Sequence, residues 1–179
     1  MNDKIEINRK TFTKYIDSAQ IKRAVKTLAQ RINEDYQGEQ ICFIVVLSGA
    51  FMFAADLIRE IKNDSDVYFI KLSSYEGTTS HQVRQSTQLD VELTDKNIII
   101  IEDIVETGNT TNYLIQEIIK HKPRNLDVCT LLFKPNKFEG DYKVTYVGKE
   151  IEDDFVVGYG MDYDQSGRGL EDIYQLNEI

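Results

Sequence analysis

A chain of 179 residues is long enough for one α/β domain with a sizeable core and too short for two comfortable ones. Its 41% hydrophobic and 28% charged residues are the proportions of an ordinary soluble globular protein. The net charge of −9 argues against a broad nucleic-acid-binding surface. It also leaves an anionic ligand to local cations, backbone amides or a metal, which favours a Mg²⁺-dependent site.

No apolar run reaches the roughly 18–20 residues of a membrane span, and the polar start MNDKIEINRK lacks a signal-peptide core, so a cytoplasmic location is expected. Cys42 and Cys129 sit inside apolar strand-like runs and read as buried, reduced thiols. His81 and His121 are isolated from each other and from other ligand types, which speaks against zinc.

In chain order, the first predicted element is a helix capped by Ser18, with Ile21, Val25, Leu28 and Ile32 on one face and a basic, solvated opposite face. Ile41–Leu47 (ICFIVVL) is a strand apolar on both faces. Ser48-Gly49-Ala50 turns it into a helix over Phe51–Ile61. Val67–Leu72 is the next strand. The stretch 73–88 (SSYEGTTSHQVRQSTQ) shows no apolar periodicity, and its length between strands predicts a mobile lid.

Asn97–Asn112 reads N-IIII-ED-IVETGNTT-N and organises the rest. Ile98–Ile101 is β-branched and too short for a core helix, so it is a strand covered on both faces, as in a parallel sheet. Glu102 and Asp103 follow at its C-terminal end. A small-residue loop and the amphipathic run Tyr113–Ile119 come next. A strand, a small-residue loop and a helix N-terminus form an anion site from backbone N–H groups. Adjacent acids at the same strand end suit sugar hydroxyls or Mg²⁺.

Leu126–Phe133 is a further strand ending in Lys134-Pro135. Lys143–Val147 and Phe155–Tyr159 read as short strands joined by an acidic turn. The tail 160–169 (GMDYDQSGRG) is irregular, and Arg168 lies between glycines where backbone can approach a ligand closely. Strands alternating with helices predict a single doubly wound α/β domain over 1–179, with a mainly parallel sheet and a small C-terminal hood at about 143–179. Neither G-x-x-x-x-G-K-[ST] nor a strand-to-helix G-x-G-x-x-G occurs, so NTPase and dinucleotide readings fall away. The residues alone point to a binder of a phosphorylated sugar with Mg²⁺.

IIIIEDIVETGNTT resembles the phosphoribosyl-pyrophosphate (PRPP) loop of the type I phosphoribosyltransferases. The order of the other motifs is similar to that of the hypoxanthine-guanine phosphoribosyltransferases. LSGAFMFAADLIREI resembles their first loop and helix, and KLSSYEGTTS their flexible loop. LLFK resembles the strand end with their purine-facing lysine, and DFVVGYGMDY with a downstream Arg their purine and metal segment.

The resemblance implies transfer of a phosphoribosyl group from PRPP to hypoxanthine or guanine, with xanthine open, in purine salvage. The product is a nucleoside monophosphate. It also implies a Mg²⁺ cofactor and a homodimer or homotetramer. Glu102 and Asp103 would hold the ribose hydroxyls, directly or through Mg²⁺, and Glu106, Thr107, Gly108, Asn109 and Thr110 would cradle the 5′-phosphate. Ser48 and Gly49 would present amides to pyrophosphate, with Ser74, Tyr75 and Arg168 around it. Lys134 would donate to purine O6, Phe155 would stack on the ring, Val156 would read its edge, and Asp162, in the purine segment, would hold a Mg²⁺ bound to pyrophosphate. Where the family usually has Asp as the base facing purine N7, this chain has Glu106, one methylene longer. Ser48 stands where relatives commonly carry Lys. The competing reading is a nucleotide-sensing, RNA-binding regulator of the same fold, which would need a basic face.

Overall fold

The structure, a computed structural model, describes residues 3–75, 82–85 and 91–177. Its main sheet has six strands in the order β5-β4-β3-β6-β7-β8. They are β3 (Ile41–Leu47), β4 (Ser65–Tyr75), β5 (Gln82–Gln85), β6 (Asn97–Val105), β7 (Asn125–Phe133) and β8 (Tyr146–Glu150). All neighbours pair in parallel except β5, which runs antiparallel to the end of β4.

Helices α1 (Ser18–Asp35) and α2 (Phe51–Glu60) cover one face of this sheet, and α3 (Asn109–Ile119) covers the other. The isoleucines of β6 divide by parity. Ile99 and Ile101 pack with Leu28, Phe53 and Leu57, whereas Ile98 and Ile100 pack with Leu114 and Ile118. All four are fully buried, as a strand covered on both sides requires. Cys42 and Cys129 are buried free thiols.

Strand order reverses between β3 and β6. The chain goes outward from β3 through α2 to β4, then returns to the other side of β3 and continues through α3 to β7. The carboxyl ends of β3 and β6 therefore border the crevice in which doubly wound sheets bind ligands.

The second sheet is antiparallel, in the order β1 (Lys4–Ile7), β2 (Lys10–Ile16), β10 (Ile173–Leu176), β9 (Val156–Val157). No element is predicted before α1, yet KIEI and TFTKYI alternate with period two. The residues between them, Asn8 and Arg9, both have positive φ, as a primed hairpin turn demands. The hood expected over about 143–179 divides. Tyr146–Glu150 is the edge strand of the main sheet, while β9 and β10 join the N-terminal hairpin around Phe12, Val157 and Tyr174.

The cap of α1 is Asp17, not Ser18. Its Oδ1 accepts from the Gln20 amide at 2.7 Å, and Gln20 Oε1 accepts from the Asp17 amide at 3.0 Å, a full capping box. Helix α3 begins directly after Gly108, four residues before the predicted Tyr113. Most of the expected lid, 73–88, lies outside the described residues.

Candidate active site

The site grows from the ends of three parallel strands. At the end of β3 the chain turns through Ser48 and Gly49, and the Leu47–Ser48 peptide is cis. The Gly49 backbone lies directly against the Asp103 carboxylate, leaving no room for a Cβ. Gly160, at φ +102°, brings the C-terminal loop onto the same turn: a Cβ there would come within 2.1 Å of the Gly49 carbonyl oxygen. Ser48, Gly49, Asp103, Glu106, Phe155, Val156, Asp162 and Arg168 all line one cavity of about 320 Å³.

Glu102 and Asp103 do not face this cavity together. Side chains alternate along a strand, so Glu102 follows Ile98 and Ile100 to the α3 face while Asp103 follows Ile99 and Ile101 to the other. Glu102 is buried and accepts a 3.2 Å hydrogen bond from Thr111 Oγ1. Burial, helped by the neighbouring Asp103 charge, raises its pKa well above the usual carboxylate range, against the opposing Thr111 bond. Burial likewise pushes Asp103 up to about 6. Amides of Asp103 and Ile104 and the Arg168 charge pull it down, and the Asp162 charge adds to the rise.

Beyond β6, residues Glu102 and Ile104–Thr111 enclose a second cavity of about 240 Å³. Gly108 caps α3 in the left-handed conformation, φ +83°, and the exposed Asn109 amide donates weakly to Thr107 Oγ1 at 3.4 Å. The first turn of α3 lines this bowl, and the N–H groups at a helix start lack intrahelical partners and suit an anion. Phe138 and Tyr142 support it from behind. A Cβ on Gly108 would lie 2.6 Å from the Phe138 ring, and Tyr142 Oη donates to the Gly108 carbonyl at 3.3 Å. The sequence reading misses both, because the 134–145 loop carries no periodic signal.

At the end of β7, Lys134 is buried at 3% exposure. Its Nζ is paired with Glu106 and stands 3.7 Å from Asp153 Oδ1, and Asp153 is also paired with Lys137. Glu106 lines both cavities, so it stands between the anion cradle and the Asp103 cavity.

Phe155 is 46% exposed and lines the same cavity as Asp103 and Glu106. It meets Tyr163 edge-on at 5.8 Å, Tyr163 meets Phe12 of β2 at 5.9 Å, and Lys10 Nζ lies 5.0 Å from the Tyr163 ring centre. The N-terminal hairpin thus holds the exposed ring in place. Val156 is buried beside it in β9. Asp162 is held at both oxygens, by Arg168 Nη2 at 2.8 Å and by the Gln165 amide at 2.8 Å, and Arg168 Nη1 donates to the Gly160 carbonyl at 2.8 Å. Ser74 and Tyr75 end β4, opposite Val83 and Gln82 of β5; their side chains lie outside the described residues.

A larger surface cavity, about 980 Å³, lies at the opposite, amino end of the strands, around Asn33, Gly38, Gln40 and Asn63. Its lining lacks any of the strand-end groups described above. Among the described residues no helix is long and apolar enough to cross a membrane.

Comparison with known proteins agrees with this geometry. Residues 13–164 match the model of the phosphoribosyl transferase domain family. The chain is 39% identical over 159 residues to a hypoxanthine phosphoribosyltransferase of Salmonella typhimurium, covering 87% of this chain and 89% of that one. A crystal structure of a hypoxanthine-guanine phosphoribosyltransferase from Bacillus anthracis, with HEPES in its active site, superposes with a TM-score of 0.87 at 43% identity, covering 92% and 96% of the two chains. A hypoxanthine phosphoribosyltransferase from Staphylococcus aureus superposes with a TM-score of 0.88 at 35% identity, covering 98% and 93%. Strand-end loops, anion cradle and relatives agree: the chain belongs to the phosphoribosyltransferase family, among its hypoxanthine-guanine phosphoribosyltransferases.

Proposed function

We propose that this chain transfers the 5-phosphoribosyl group of PRPP to hypoxanthine or guanine in purine salvage, giving the nucleoside monophosphate and pyrophosphate. The observation that carries the reading is the position of Glu106. It lies between an anion cradle and a cavity with an exposed aromatic ring, and it is paired with a buried lysine.

The 5′-phosphate sits in the cradle of Thr107, Gly108, Asn109 and Thr110, against the positive end of α3. Asp103 faces the ribose hydroxyls. Glu102, on the other face, supports the cradle through Thr111. Ser48 and Gly49 offer backbone amides to pyrophosphate, with Arg168 as the nearby cation; the family resemblance adds Ser74 and Tyr75 to this group.

The purine lies on Phe155, with its edge against the Val156 backbone. Lys134 donates to O6, which favours oxo over amino purines because an exocyclic amine does not accept that bond. Glu106 accepts the proton released at N7 as the ring nitrogen attacks C1′. Glutamate carries the same carboxylate function as the aspartate of relatives, though its reach differs by about 1.5 Å.

Asp103 and Asp162 place hard carboxylate oxygens in the lining of one cavity. That donor set suits Mg²⁺, which completes its shell with water and substrate oxygens. When bound, Mg²⁺ neutralises charge on the pyrophosphate leaving group. The likeness to relatives also supports a homodimer or homotetramer, which light scattering would measure.

The test is turnover of hypoxanthine, guanine, xanthine and adenine with PRPP and Mg²⁺, followed by ultraviolet absorbance. Product from hypoxanthine or guanine, with little from adenine, is expected. No product from either 6-oxopurine would overturn the reading.

A further inference from the structure

Lys134 presents an electrostatic problem that the transfer reaction has to solve. Its ammonium is buried and paired with Glu106. The reading above needs the two groups apart, with Glu106 at N7 and Lys134 at O6. Separation would leave the buried cation chiefly facing a neutral carbonyl oxygen, and a buried charge that loses its partner is strongly destabilising. Among the described residues, the other carboxylate paired with Lys134 is Asp153, whose Oδ1 stands 3.7 Å from Nζ. Its side chain is 56% exposed and joined to Lys137, so it remains charged and oriented from the solvent side.

We propose that Asp153 is a positioning residue for purine binding: it is the counter-charge that holds the Lys134 ammonium in place and aimed when Glu106 turns to N7. The proposal rests on the transfer reaction assigned above. Asp153 lies two residues before Phe155 and three before Val156. One short segment therefore carries the lysine's counter-charge, the stacking ring and the edge-reading backbone, and its placement sets all three together. Lys137 competes with Lys134 for the same Oδ1 and limits how far Asp153 turns inward.

The contrast between two neighbouring substitutions provides the test. Without Asp153, Lys134 has Glu106 as its partner and the purine has to break that pair alone. In Asp153→Asn the KM for hypoxanthine is expected to rise about fivefold to tenfold, within the usual range of coupling between contacting charges. The KM for PRPP and the thermal midpoint should stay close to those of the parent, and Asp153→Glu should recover most of the loss. Lys137→Met frees Oδ1 for Lys134 and should leave the hypoxanthine KM unchanged or lower. A hypoxanthine KM unmoved by Asp153→Asn, or PRPP and purine KM values rising together, overturns the proposal. So does Lys137→Met raising the hypoxanthine KM as much as Asp153→Asn, because a merely structural ion pair fails from either side. A parent protein with no turnover of any 6-oxopurine refutes the transfer reading itself, which separates the two failures.

Discussion

Gly49 and Asp103, at the ends of adjacent strands, are in van der Waals contact: a Cβ built on Gly49 would lie 1.8 Å from Asp103 Oδ2. The carboxylate takes the space that any side chain at position 49 would fill. Gly49→Ala therefore has to push either the loop or Asp103 aside. Overpacking of this kind costs about 1–3 kcal/mol. The expected outcome is a lower thermal midpoint together with a PRPP KM raised about tenfold or more, since misplacement on the ångström scale affects positioning strongly. Wild-type PRPP kinetics in the alanine variant would show that the two strand ends move independently.

The raised pKa of Asp103 sets a sign for pH dependence. Its folded-state value, about 6, lies above the unfolded one. Its contribution to stability is therefore fully present below the unfolded pKa, near 4, and is lost as pH rises through about 6. Asp103→Asn has no charge to bury. Relative to the parent, the unliganded variant should be more stable at pH 7.5 than at pH 5 or below, as read from the difference in thermal midpoints. A difference that does not change with pH would show that burial leaves Asp103 unshifted.

Glu106→Gln keeps the shape and the hydrogen-bonding reach of the side chain but cannot take a proton. Turnover with hypoxanthine should fall about 10²- to 10⁴-fold, the usual contribution of a general base. PRPP affinity, measured by equilibrium binding, should change little. Unaltered turnover would assign Glu106 to the phosphate loop alone.

Tyr163 touches Phe155 edge-on and is itself held by Phe12 and Lys10. Tyr163→Leu should raise the purine KM about twofold to tenfold, the worth of an edge-to-face aromatic contact. Tyr163→Phe keeps the ring and should behave like the parent. Equal effects of the two would point to the tyrosine hydroxyl instead of the ring.

The parallel sheet was legible because its signals are local. Ile41–Leu47 and Ile98–Ile101 are β-branched, uniformly apolar runs whose length and composition admit little besides a doubly covered strand. The strand–loop–helix unit around 105–110 was legible for the same reason, since its parts are contiguous in the chain. Ser18 was a near miss for Asp17. Two adjacent capping residue types compete at that position, and only the reciprocal bonds with Gln20 distinguish them.

What tertiary structure alone decided lies in contacts between distant segments. The hairpin at 4–16 pairs with β10, more than 150 positions away, and no local pattern specifies that partner. The sequence places Glu102 and Asp103 side by side, yet the pleat sends them to opposite faces, where one supports the cradle and the other meets Gly49. Lys134, Glu106 and Asp153 are separated along the chain and converge only because β6 and β7 are neighbours and the loop after β8 folds back over them. Sequence alone determined the central strands of the parallel sheet and the loops that follow them, because hydrophobic period and backbone geometry act over a few residues. The pairing of the charges at the ends of β6 and β7 was decided by the fold, because a Coulomb interaction depends on distance in space and not on separation along the chain.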